Sequence, residues 1–332
     1  KAKVCNTSIP GSNPGGTSKE PLNIQGFFCV TENDFIRKRA RMSNFCYPYE
    51  QMLLELQSLK AVFSDKIQIQ KRAVTADCRS VWEVMVGDRA SGRHGLIHAG
   101  MHGREYLNCA VLMRLLRAYL SEDILLDVCF HILPMVNPDG CTISQRGISG
   151  IRSRRLREFL EKHHEREVFS RWKANAVGVD LNRNFDSGWE AYGGAGAPGA
   201  EKYKGAAPGS EPETQAILKL CEEWPMGCCV AYHSAGSVIY WDYGSTGELY
   251  KKDKQLAGLL SKTTGYPLRS ARAEKADRAG CSDYLMEALE IPSVTIETGQ
   301  QETPLPESEF GQILEENRGL WKALASFLRE EG

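Results

Sequence analysis

The stretch Gly95-Leu96-Ile97-His98-Ala99-Gly100-Met101-His102-Gly103-Arg104-Glu105, running on into Tyr106 through Leu120, decides how this chain folds. Gly95 to Ala99 is a short apolar run of strand length, and Gly100 ends it. From Tyr106 to Leu120 the apolar residues Leu107, Val111, Leu115 and Ala118 fall on one helical face. A buried strand, a glycine-containing loop and a helix form the opening unit of an α/β layer.

The same alternation continues outward in both directions. Met52, Leu56, Leu59 and Phe63 predict an amphipathic helix over Tyr49 to Phe63. Ile67 to Val74 and Val81 to Val86 read as strands, as does Val128 to Val136. That last strand runs into Asn137-Pro138-Asp139-Gly140, whose residue types predict a turn. Arg152 to Lys173 is a basic, helix-compatible insertion whose acids Glu158, Glu161, Glu165 and Glu167 balance much of its charge, so it reads as a solvated face. Gly188 to Gly209 reads as a loop, and Ser210 with Glu213 as a capping box for a helix to Trp224. Cys228 to Ala231, Val238 to Trp241 and Ser293 to Ile296 are further strands, with helices over Leu249 to Thr264, Cys281 to Leu289 and Phe310 to Leu328. Strands separated by helices predict an α/β fold with helices on both faces of the sheet. Residues 1–35 read as an irregular arm, and residues 36–332 as one catalytic domain.

Composition narrows the function. A net charge of −1 over 332 residues gives no footprint for nucleic acid or an anionic membrane. No transmembrane segment is expected, because no apolar run approaches the ~18–20 residues that span a bilayer. Nothing in the composition selects between an extracellular and a cytoplasmic setting. Eleven cysteines cannot all pair within one chain, and several sit in apolar runs, so reduced structural thiols are expected.

Four segments carry chemistry. His102 and Glu105 are three residues apart and can face one point across a turn; imidazole and carboxylate are ordinary zinc ligands. By themselves they amount to a strand-end histidine beside a helix-start acid, where acids are favoured anyway. His233 ends the apolar run Cys228 to Tyr232, at the carboxyl end of a strand, where open α/β sheets place their sites. Two ligands close in sequence with one distant histidine make a three-ligand metal site with an open fourth position. Glu297 ends the run Ser293-Val294-Thr295-Ile296, where a carboxylate needs a partner or a proton. Asp180-Leu181-Asn182-Arg183-Asn184 supplies amides and a guanidinium suited to gripping a carboxylate.

Taken in order, GMHGRE, VNPDG, GVDLNRNFD, AYHS and TIETG span residues 100 to 299, and the chain resembles the zinc metallocarboxypeptidases of the carboxypeptidase A superfamily. The segment TADCRSVWEVMVGD and Pro304-Leu305-Pro306 resemble bacterial members, which include peptidases of γ-D-glutamyl-diamino acid bonds. The resemblance implies a three-layer α/β/α sandwich around a mixed, mostly parallel twisted sheet of about eight strands. It implies one Zn2+ per chain on His102, Glu105 and His233, and a peptide substrate with a free C-terminal carboxylate. Glu297 would be the catalytic base, and Asp180 the partner that orients His102. Asn182 and Arg183 would hold the substrate carboxylate, Ser282 would floor the side-chain pocket, and Lys173, or Arg171 beside it, would face the oxyanion. A non-proline cis peptide is implied at Ser234–Ala235. The mobile tyrosine of digestive members has no counterpart in Ala273 to Tyr284. Two competing readings are a catalytically inert peptide-binding relative and a zinc amidohydrolase of acylated amino acids.

Overall fold

β-Branched and apolar runs become strands that pair into a single sheet of eight strands among the described residues. The computed structural model describes residues 45–122, 127–163 and 169–331; the expected arm, residues 1–35, and His164 of the basic insertion lie outside them. The strands are β1 (Ile67–Val74), β2 (Ser80–Gly87), β3 (His94–His98), β4 (Cys129–Leu133), β5 (Met226–Ser234), β6 (Val238–Trp241), β7 (Leu268–Ser270) and β8 (Ser293–Thr298). Their spatial order is β1-β2-β4-β3-β5-β8-β6-β7. The central run β4-β3-β5-β8 is parallel, and antiparallel pairs join it to β2 and β6. This is the mixed, mostly parallel sheet with flanking helices that the family resemblance implies.

Alternation along the buried central strands sends side chains to two helical layers, as double-sided burial requires. One layer holds α1 (Tyr49–Val62), α2 (Tyr106–Ser121), α6 (Gly247–Thr264) and α9 (Leu320–Glu331). The other holds α5 (Pro212–Glu223) and α7 (Cys281–Leu289), whose Ile217, Leu220 and Leu285 meet Leu96, Leu133 and Cys229 of the sheet. Cys109, Cys129, Cys141, Cys228, Cys229 and Cys281 are buried unpaired thiols, as expected of small apolar residues. No helix among the described residues is long and apolar enough to cross a membrane.

Three local expectations are corrected. Asn137-Pro138-Asp139-Gly140 is not a turn but the start of α3 (Pro138–Arg146): Asn137 caps it by accepting from the Gly140 N–H at 2.8 Å, and Pro138 takes the first position, where its missing N–H costs nothing. Ser210 and Glu213 form no capping box, because α5 begins one residue too late; Glu211 is its N-cap and the Ser210 hydroxyl donates to Glu211 Oε1 instead. The closing helix is broken into α8 (Phe310–Glu316) and α9 at Asn317. There the buried Tyr232 hydroxyl donates to Asn317 Oδ1 at 2.9 Å, a polar demand that outweighs the apolar period. Within the described part of the basic insertion, α4 runs over Arg154–His163.

Candidate metal centre

The ligand loop follows β3 directly and is held by close backbone contacts. Gly100 takes φ +66°, and a Cβ there would stand 2.4 Å from Cys109 Sγ. A Cβ at Gly103 would meet Gly140 O at 2.4 Å and Trp172 O at 2.8 Å, so GMHGRE and NPDG press backbone to backbone. The buried Asn137 amide ties this junction, donating to Met101 O at 3.1 Å, Lys173 O at 3.3 Å and Ala174 O at 3.0 Å. One side chain thus fixes the segments that carry both His102 and Lys173. Asn108, one turn into α2, does the same for the strand ends. It donates to His233 O at 2.8 Å and Ser234 Oγ at 2.9 Å, and accepts from Thr298 Oγ1 at 2.6 Å. Sequence reasoning missed both asparagines; the signal was present, since each interrupts an apolar or turn segment where a buried amide must find several partners.

The loop and strand bring His102, Glu105 and His233 together, all buried. His102 Nδ1 lies 2.8 Å from Glu105 Oε1, His233 Nδ1 lies 2.9 Å from Glu105 Oε2, and the two Nδ1 atoms face each other at 3.1 Å. Two imidazole nitrogens pointed at one carboxylate and at each other form a donor set of the His2Glu kind that zinc takes. Burial would raise the Glu105 carboxyl, but the charges and hydrogen bonds of His102 and His233 hold it far below the usual range. On its other side, His102 Nε2 faces Asp180 Oδ1 at 3.4 Å, while Asp180 Oδ2 accepts from Lys202 N at 3.0 Å. Burial works against the Asp180 charge; the His102 hydrogen bond and the positive Lys173 outweigh it and keep Asp180 ionised. This is the carboxylate–histidine pairing that fixes a ligand's tautomer.

Glu297 is the register partner of His233 across β5 and β8, so both side chains leave the same face of the sheet. Burial raises its carboxyl to about 7; His233 and Lys173 work against that rise and Glu105 adds to it. Lys173 therefore acts on the same charges as Glu297 and Asp180. Arg171 does not: it is exposed and pairs with Glu302 at 3.1 Å. Of the two cations considered from sequence, Lys173 is the one brought to the site. Arg104, which sequence reasoning left unassigned, also lowers Glu297.

The remaining site residues sit to one side. Arg183 stacks over Tyr192 at 5.3 Å, pairs with Asp277 at 3.3 Å and couples to Asp180. Asn182 Oδ1 accepts from Cys281 N at 2.9 Å, tying this segment to the start of α7. Ser282 is buried with its hydroxyl 3.0 Å from Thr295 Oγ1, to which the Tyr243 hydroxyl donates at 2.7 Å. Trp241 and Tyr243 are buried, with Tyr240 packed against the same cluster as Tyr243. The Ser234–Ala235 peptide is cis.

An α/β/α layer with a buried His2Glu set at its strand ends and a carboxylate on the adjacent strand defines a zinc-dependent hydrolase. The chain belongs to the zinc carboxypeptidase family, whose sequence model matches residues 52–320; it is a peptide hydrolase, and zinc is its metal. It is 27% identical over 293 residues to gamma-D-glutamyl-L-diamino acid endopeptidase 1 of Lysinibacillus sphaericus, covering 83% of this chain and 72% of that protein. It is 24% identical to human mast cell carboxypeptidase A over 63% of this chain and 50% of that one. The fold is shared with bovine thrombin-activatable fibrinolysis inhibitor in complex with tick carboxypeptidase inhibitor, at a TM-score of 0.70 and 19% identity over 87% of this chain and 99% of that one. It is shared too with carboxypeptidase A of Helicoverpa armigera, at 0.69 and 19% over 88% and 78%.

Proposed function

We propose that this enzyme removes C-terminal residues from peptides, and that its substrates are cell-wall peptides cut at γ-D-glutamyl-diamino acid bonds. The observation that carries the chemistry is the pairing of Glu297 with His233 across two strands, beside the His102–Glu105 loop. His102, Glu105 and His233 would hold the zinc, with Asp180 orienting His102. When bound, zinc polarises the scissile carbonyl and acidifies water. Glu297 takes the proton from the attacking water and passes it to the leaving amine. Lys173 faces the charge that develops on the carbonyl oxygen, as a point charge without a guanidinium's fork. Asn182 and Arg183 receive the terminal carboxylate.

Two observations support the substrate class. The similarity to the Lysinibacillus endopeptidase covers most of both chains. The pocket floor proposed from Ser282 is a hydroxyl cluster with Thr295 and Tyr243, which suits a polar diamino-acid terminus better than a large apolar side chain. The test is a hydrolysis panel that sets ordinary C-terminal residues against γ-D-glutamyl-diamino acid peptides. At least about ten-fold higher kcat/KM on the latter is expected, from one or two well-placed polar contacts. The opposite preference would return the substrate to ordinary peptides. Glu297→Gln should abolish turnover on both while zinc content stays the same; residual full activity would remove Glu297 from its role.

A further inference from the structure

A second cluster of ligand-type side chains lies at the opposite end of the same strands. His94 and Cys129 open β3 and β4 and are register partners, and His131 follows Cys129 by two residues, so all three leave one face of the sheet. Four residues of β3 follow His94 to the strand's end, on the order of 13 Å at the usual rise. All three residues are buried, and their donor atoms lie within 4.8 Å of one another. His94 Nδ1 faces His131 Nε2 at 2.9 Å. Behind His131, Glu83 Oε1 sits 2.5 Å from Nδ1, and Glu83 is itself held by Arg72 and Gln70.

These contacts repeat the signature of the metal centre. There too, two imidazole nitrogens face each other at 3.1 Å, and a carboxylate backs one ring from its far nitrogen. The Glu83 carboxylate holds the proton on His131 Nδ1 and turns the Nε2 lone pair toward His94, which is the arrangement of a ligating histidine with its orienting acid. His94, buried beside His131, presents Nδ1 to the same point. A structural thiol among leucines needs no such neighbours; a thiol beside two oriented imidazoles is a third donor of matching softness.

We propose that His94, Cys129 and His131 form a second metal site, selective for a borderline-soft divalent ion of the zinc class and structural in role. Binding displaces the Cys129 proton, so the thiolate and two neutral imidazoles meet the ion and one proton is released. The indole of Trp224 lies over both rings, at 4.9 and 5.2 Å. It also lines a surface cavity of about 430 Å³ with Gly87, Asp88, Arg89 and Ala90, so the indole stands between the cluster and that cavity. The ion would clamp the starts of β3 and β4, the two strands whose far ends deliver the His102 loop and the Asn137 cap.

The test is cobalt reconstitution of the full chain after metal removal, read by metal stoichiometry and absorption spectrum. Only the new site has a sulfur donor, so it alone produces a near-ultraviolet sulfur-to-cobalt charge-transfer band. Two Co2+ per chain and that band are expected. Cys129→Ser should remove the band and one Co2+ while peptide turnover holds within about two-fold, as for a site remote from the chemistry. His94→Gln should do the same and serves if the serine variant folds poorly. One Co2+ per chain without the band, or a band that survives Cys129→Ser, would show a hydrogen-bonded histidine pair and overturn the site.

Discussion

Glu213 sets a pH dependence of stability that does not involve the metal centre. It is fully buried in the first turn of α5, and burial, with the charges of Asp139 and Glu211 adding to it, raises its carboxyl from 4.5 to about 8. A folded-state value above the unfolded one means that the folded protein keeps a proton the unfolded chain has lost. Its stabilising effect is therefore complete below about pH 4.5 and disappears as pH rises toward 8. At ~1.4 kcal/mol per pH unit the full span is of order 5 kcal/mol. Relaxation around a buried acid trims such figures, so about 2–5 kcal/mol is expected. Glu213→Gln keeps the shape and removes the titration. Chemical denaturation of both proteins at one fixed zinc concentration cancels the linkage to metal binding. Their difference should be small at pH 5 and should favour the glutamine variant by that amount at pH 8. That is a midpoint higher by roughly 5–10 °C in a thermal scan. Parallel profiles from pH 5 to 8 would refute the assignment of the buried proton to Glu213.

Asn137→Ala removes the amide that ties Met101, Lys173 and Ala174; chelator titration should find zinc affinity lower by about 10–100-fold, with stability down by about 3 kcal/mol. Lys173→Ala should lower kcat by about 10²–10³-fold with little change in KM, whereas Arg171→Ala, whose partner is the exposed Glu302, should leave both within about two-fold. Arg183→Ala should raise KM on substrates with a free terminal carboxylate by about 10²-fold and leave carboxamide-terminated substrates unchanged; equal losses on both would show that Arg183 serves the fold instead.

The proposed metal ligands are legible in the sequence because their signals are local. His102 and Glu105 lie on one turn after a strand, and His233 and Glu297 each end an apolar run, so the ends of the strand-like runs already mark the site. Asn137-Pro138-Asp139-Gly140 reads as a turn because turn chemistry and helix-capping chemistry use the same residues. What decides between them is tertiary: Gly140 packs a carbonyl against Gly103, and Asn137 has three carbonyls waiting for its amide. Ser210 and Glu213 match a capping box by spacing, but Pro212 can sit only at the start of a helix, which moves the cap to Glu211. The break at Asn317 is hidden because the apolar period of α8 and α9 continues across it; the cause is one hydroxyl, Tyr232, on a strand 85 residues away.

The balance of charge in this cleft supports the proposed binding of a cation and a substrate carboxylate together. Glu105 and Asp180 are held ionised, and Glu297 stands beside them, with Lys173 as the cation that acts on both Asp180 and Glu297. Buried carboxylates in that excess need further positive charge, and the facing Nδ1 atoms of His102 and His233 with Glu105 offer a donor set for it. Arg183 interacts with the charge of Asp180 and pairs with the exposed Asp277. A substrate carboxylate can displace that exposed acid at small cost, because an exposed ion pair contributes about 0–1 kcal/mol. Asp180 thus faces His102 and interacts with the charge of Arg183, so it links the proposed metal ligand to the proposed carboxylate-binding residue.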